Sequence, residues 1–329
     1  MTGWLHRTWR ALALGAAFAL IAQTLAPLHA RAAEAAKLRV GTPASVNFTF
    51  LPLTVAQQQG FFAKEGLDVA ITAFQGGSRL AQGVTAGDVD LAVTSGSDMA
   101  FAAKGVPDIA VAATAGPPLF LTVIVPYDSP LKGPDDLKGK KVAVTTEGSF
   151  TAWLMRRLIQ EKHWSDGDMT LVAVGAEPAA SAAALKTHQV DAAVQAPALG
   201  FQLEEQQVAK PLFPTSLIVK DFLSNAIFAT QKVLAERPDD VRRFIRAWFA
   251  AVAFMRGHKA ETVAISRALN HYDEDVADKE YDTVMPMFLS DGHFNRAALA
   301  ALQASFVDMG LFKDPPDMSK LYTEAYLPK

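Results

Sequence analysis

The sequence predicts an α/β protein of two lobes, with the chain passing from the first lobe to the second and back. Three observations carry this. The chain has 329 residues, half of them apolar, enough for two compact cores. Two successive blocks alternate short apolar strands with helical segments, the pattern of sheets covered by helices. And one design recurs: Gly87-Asp88-Val89-Asp90-Leu91-Ala92-Val93 is echoed by His188-Gln189-Val190-Asp191-Ala192-Ala193-Val194. Each copy puts a polar Val-Asp turn before a buried strand, so both lobes are expected to use the same supersecondary unit.

The first 36 residues differ in kind. Arg7 and Arg10 precede an apolar run, 11–28, broken only by Gln23, Thr24 and Pro27, and Ala30-Arg31-Ala32 then offers a small-residue cleavage pattern. This is the layout of a cleavable secretory signal peptide, so 1–36 is expected to be removed and the mature protein to be periplasmic. No cysteine exists, which rules out a lipid-anchored N-terminus, thiol nucleophiles and cysteine metal sites together. The chain carries −3 net. Its leader holds three arginines and one glutamate, so the mature part is near −5, with no basic block to suit nucleic acid.

In the first block, Leu38–Gly41 reads as a strand and Thr54–Gln59 as a helix opened by Pro52 and closed by Gly60. Leu67–Phe74 alternates as a second strand. Ser78 is read as the cap of a helix to Thr85. Val89–Val93 is a strand, Ser97 or Asp98 caps a helix ending at Gly105, and Ile109–Thr114 and Leu119–Val125 are strands. After Pro126 the second block runs: strand Lys141–Thr145, helix from Gly148-Ser149 to Lys162, strand Thr170–Val174, helix Ser181–Lys186, strand Val190–Val194. Beyond it come a strand, Asn225–Thr230, and helices at Asp239–Arg256, Thr262–Leu269, Asp275–Met287 and Arg296–Met309, expected to cover the first lobe. The lobes are then 37–125 with 216–329, and 126–215.

The segments Leu51–Ile71 (LPLTVAQQQGFFAKEGLDVAI), Gly76–Gly96, Asp135–Ser149, Val190–Gly200 and the late helix Arg237–His258 resemble, in order and spacing, periplasmic substrate-binding proteins of the nitrate, sulfonate and taurine class, with their thiamine-precursor relatives. The resemblance implies a two-lobe periplasmic binding protein fold with two crossover hinge segments and a ligand cleft between the lobes. It implies a monomeric solute-binding component that delivers a small organic solute to an inner-membrane ABC permease and its cytoplasmic ATPase, with no cofactor of its own. A periplasmic sensor role, or an enzyme related to the pyrimidine-precursor synthases of this fold, are the alternatives. The synthases use a cysteine-rich motif that this chain lacks. Where many relatives carry an acidic residue before the return-segment proline, this chain has Gln195-Ala196-Pro197, which favours a neutral or anionic solute.

In such sheets ligands sit beyond the carboxyl ends of the strands. The expected ligand-binding residues are therefore Ser45, Asn47 and Phe48 after the first strand; Gly76, Gly77 and Ser78 after the second; Thr94 and Ser95 after the third; Phe120 after the fourth; Thr146, Gly148 and Ser149 after the first strand of the second block; and Gln195. The helix starts at Gly76-Gly77-Ser78 and at Gly148-Ser149 would offer unpaired N–H groups to an oxyanion, and Phe48 and Phe120 an apolar subsite. No motif for metal or nucleophilic catalysis is present: the histidines are scattered, and neither H-E-x-x-H nor G-x-S-x-G occurs. His271-Tyr272-Asp273-Glu274-Asp275 reads as a polar helix start.

Overall fold

The computed structural model describes residues 35–44, 47–74, 76–147, 149–175 and 177–328. Two five-stranded sheets organise it. The first contains β1 (Ala36–Thr42), β2 (Leu67–Ala73), β3 (Leu91–Ser95), β4 (Asp108–Ala115) and β10 (Asn225–Thr230), in the order β2-β1-β3-β10-β4. The second contains β5 (Thr122–Pro126), β6 (Lys141–Val144), β7 (Thr170–Ala173), β8 (Ala192–Gln195) and β9 (Ala209–Pro214), in the order β7-β6-β8-β5-β9. The sheets have the same plan. β1 pairs parallel with β2 and β3, as β6 does with β7 and β8. The chain's two passages between sheets add one antiparallel strand to each, β10 in the first and β5 in the second. The sheets are thus mixed rather than purely parallel, because a strand arriving from the other lobe enters from the cleft end. β5 belongs to the second sheet, so the first passage runs through 116–121, upstream of Val125.

The echoed segments occupy equivalent positions. The Asp90 carboxylate accepts the Arg39 backbone N–H at 2.9 Å, and the Asp191 carboxylate accepts that of Lys141 at 2.8 Å. Each aspartate's own N–H returns to the carbonyl of the same neighbour. An Asp before a buried strand therefore fastens that strand to the one beside it, and the sequence echo records one unit used twice.

Helices differ from the sequence reading mainly at their ends. The first is Leu51–Gln58, with Pro52 inside its first turn. The helix after β2 is Gly77–Ala86; its N-cap is Gly76, so Ser78 lies within the first turn and does not cap it. Gly76 holds the turn at φ 108°, a conformation only glycine adopts readily. Ser95 caps a short turn that leads into Met99–Ala103. Ser149 caps Phe150–Glu161 as expected. Helix Pro197–Glu205 and strand β9 were not foreseen.

Pro238–Gly257 packs on the helices Leu51–Gln58 and Phe61–Lys64, with Asp239 and Asp240 in its first turn and Arg256 in its last, both matched to the helix dipole. It buries Phe244 and Trp248 completely, each contributing about 2–3 kcal/mol by removal from water. The opposite face of the first sheet carries Gly77–Ala86 and Arg296–Asp308. There a continuous apolar cluster runs from Leu80, Ala92 and Ala113 through Phe222 to Val123, Val142 and Trp153 on the second sheet's side. Among the described residues no helix is long and apolar enough to cross a membrane.

Candidate functional site

The strand-end loops of the first lobe come together around one carboxylate. Thr94, the fourth residue of β3, donates its hydroxyl to Asp98 at 2.6 Å. Asp98 lies against the first residue of helix Gly77–Ala86 so closely that a Cβ on Gly77 would stand 2.9 Å from its Oδ2. A side chain at 77 would therefore displace the Asp98 carboxylate from beside that helix start. Burial pushes Asp98 up to about 6, against the opposing hydrogen bond from Thr94. Burial, and then the charge of Asp98, push Asp108 up to about 7. Ser95 and Ser97 share a hydroxyl contact of 2.8 Å beside them. Ser78 stays exposed and lines a separate shallow groove with Phe101 and Val106. At Gly96 backbone meets backbone: a Cβ there would fall 2.1 Å from the Leu223 carbonyl, and its N–H donates to Ser224.

The second lobe presents hydroxyls instead. Ser149 Oγ accepts from the Ala152 N–H at 3.2 Å, donates to the Thr146 carbonyl at 2.7 Å and lies 2.9 Å from the Thr151 hydroxyl. Thr151 in turn accepts from the Thr145 N–H at 3.0 Å. No carboxylate takes part in this group. Gln195 is buried and donates to Ser181 at 2.7 Å, so its amide nitrogen is committed inside the second lobe. Ser45 and Gly148 lie outside the described residues.

Aromatic rings bridge the lobes. Phe120 in the first crossover stacks on Phe150 (centroids 6.3 Å, 9°), and Phe150 packs on Phe222 of the return crossover and on Trp153. Trp153 is buried, and its indole N–H reaches Asp308 at 3.1 Å, tying the second lobe's helix to Arg296–Asp308.

Three of the expected residues, Asn47, Phe48 and Phe120, line one interlobe cavity of about 150 Å³ with Ala196 and Pro197 from the second lobe. Asn47 Oδ1 accepts from the Thr49 N–H at 2.6 Å and from its hydroxyl, holding the loop after β1. Phe48 is buried against Tyr281 and Phe288, so it serves the core as well as the cavity wall. The far wall is Asn270, Tyr272, Glu280 and Val284, residues that the sequence reading left as a polar helix start or did not single out. The signal was present. Glu280 follows Val276 and Ala277 by four and three residues and precedes Val284 by four, so it stands on the buried stripe of its helix. A larger cavity of about 550 Å³ opens between Phe150–Glu161, residues 217–221 and Arg296–Asp308. None of its lining residues belongs to the expected strand-end loops, so position rather than size selects the smaller one.

A family model described as NMT1/THI5 like matches residues 47–262. The chain belongs to this family. A Haemophilus influenzae protein assigned by name to thiamine biosynthesis is 30% identical over 221 residues, 66% of this chain and 68% of that one. The crystal structure of the periplasmic aliphatic sulphonate binding protein SsuA from Escherichia coli superposes with TM-score 0.74 at 18% identity, over 87% of this chain and 92% of that one. A cysteine-to-serine mutant of the desulfurization enzyme DSZB, in complex with biphenyl-2-sulfinic acid, has the same fold, with TM-score 0.66 at 14% identity over 89% and 97%.

Proposed function

We propose that this NMT1/THI5-like chain is the extracytoplasmic solute-binding component of an ABC importer, a monomer that captures a small organic solute between its lobes and delivers it to the permease. The observation that carries the reading is the interlobe cavity, whose walls come from the loop after β1, from Phe120 in a crossover and from Ala196-Pro197 of the second lobe. A solute seated there touches both halves, so binding favours their closed arrangement. Supporting subsites are the hydroxyl group of Thr145, Thr146, Ser149 and Thr151 at a helix start, suited to an anionic or acceptor end, and Thr94, Ser95, Gly76 and Gly77 opposite.

Residues 1–36 act as the cleaved leader in this reading, and the first lobe comprises 37–115 with 225–329 and the second 122–214, joined by crossovers at 116–121 and 215–224. The pairing of Ala36 with Leu67 in β1 supports a leader that ends by the start of that strand. An enzyme on this fold is the second reading, raised by the likeness to DSZB. The chain has no cysteine to match the residue mutated there, and among its described residues no group of three or more His, Asp or Glu could hold a metal.

A thermal-shift screen of the mature protein against sulfonates, carboxylates and pyrimidines tests the reading. A solute at about 100-fold over its Kd raises Tm by about 5 °C and is recovered unchanged after prolonged incubation. Turnover of the hit would support the enzyme instead.

A further inference from the structure

Glu280 is 5% exposed, and its one hydrogen bond, accepted from Ser266 Oγ, is loose at 3.5 Å. It forms no ion pair among the described residues, and none of the residues lining its cavity is basic. The nearby basic groups are engaged elsewhere. Lys259 is held by Asp278 and Asp282, Lys279 by Asp275, and Arg267 by Glu274. The titratable groups beside it are Tyr272 in the same cavity and Tyr281 on its own helix, whose hydroxyl is donated to the Met255 carbonyl; His271, next to Tyr272 in the chain, is exposed. Glu204 and Glu205 on the facing helix act on Lys279. A buried carboxyl without a counter-ion is costly unless something occupies the space before it. That space holds about 150 Å³, about five water volumes, walled by the rings of Phe48, Phe120 and Tyr272. Aromatic faces around a carboxyl attract a cation and repel an oxyanion.

We propose that this cavity is the subsite for a cationic nitrogen, a protonated amine on the solute, with Glu280 as its counter-ion and Phe48, Phe120 and Tyr272 as its walls. The inference rests on the solute-binding reading and deepens it: the solute carries an amine, and an overall neutral solute is then a zwitterion. Burial pushes Glu280 up to about 7, against the hydrogen bond from Ser266. Tyr272, which shares the cavity, stays a neutral phenol, pushed up to about 12 by burial and then by the charge of Glu280. An entering ammonium group stabilises the carboxylate and releases the proton that Glu280 otherwise holds.

The test uses matched probes that differ only at the amine: 3-aminopropanesulfonate against butanesulfonate, and 4-aminobutyrate against pentanoate, titrated calorimetrically into the mature protein. The inference predicts that at least one amine member binds tenfold or more tighter than its partner, and that Glu280→Gln abolishes the preference. With a carboxyl near 7, amine affinity rises about tenfold from pH 6 to pH 8 while the amine itself stays protonated, and alkyl affinity stays flat. This pH series on the unmutated protein keeps the test decisive if Glu280→Gln folds poorly. Equal or tighter binding of the alkyl members overturns the amine subsite and leaves solute capture standing. No binding by either pair also overturns it, and only failure of the wider thermal-shift screen reaches the solute-binding reading itself.

Discussion

Asp90 and Asp191 stand at the same point of the two lobes, each fastening a central strand to its neighbour, yet their surroundings differ. Asp191 is half-buried and holds the Lys141 N–H. Asp90 is buried and also takes the guanidinium groups of Arg39 at 2.8 Å and Arg237 at 2.9 Å, the latter from the segment that returns after the second lobe. The helix starts facing the cleft differ in the same sense. Gly77 meets the carboxylate of Asp98, whereas Ser149 is surrounded by hydroxyls. A shared backbone plan therefore fixes where the loops go, and the side chains added to it decide what each lobe offers. The first lobe carries the buried acids and the second the neutral donors and acceptors.

The asymmetry has a pH signature, and it is the largest effect expected. Asp98, Asp108 and Glu280 have folded-state values raised to about 6, 7 and 7. Their stabilising contribution is complete below the unfolded carboxyl range near 4 and is lost as pH rises through 6–7. Asp90 runs the other way. Burial opposes its ionisation, but its hydrogen bonds from Arg39 and Arg237 prevail and lower it, so its contribution is lost only as pH falls below about 4. Urea denaturation of the unliganded protein should show greatest stability near pH 4 and a decline as pH rises to about 7. Glu280→Gln should gain about 2–3 kcal/mol on the unmutated protein between pH 5 and 8. Parallel profiles for the two would place the buried charge elsewhere.

The Asp pair gives the next effect. Asp90→Ala leaves two arginines without their shared partner, but both reach solvent, so the cost should be about 2 kcal/mol. Asp191→Ala loses one exposed backbone contact, for about 1 kcal/mol or less. Equal losses in urea titrations at pH 7 would dissolve the contrast.

Much of this plan was legible in the sequence because strand alternation and the Val-Asp echo are local. The crossing of β5 into the second sheet was not, since a strand's sheet is set by pairing with residues far away, here 193–195 and 209–214. Ser78 was misread as a cap because serine before a helical run is the commoner solution. The helix opens from the Gly76 turn with no side-chain cap, and the Asp98 carboxylate, 21 residues past Gly77, stands beside its first residue. Asn47, Phe48 and Phe120 were found from their position after strands. Glu280, Tyr272 and Asn270 were missed because they reach the cavity from helices distant in sequence, although a glutamate on an apolar stripe marked the place.

A crystal structure of the mature protein with the strongest hit of the solute screen tests the central claim most directly. The account predicts a solute in contact with the loop after β1 on one side and with Ala196-Pro197 or the Ser149 helix start on the other. A solute held by residues of a single sheet and its helices would contradict it.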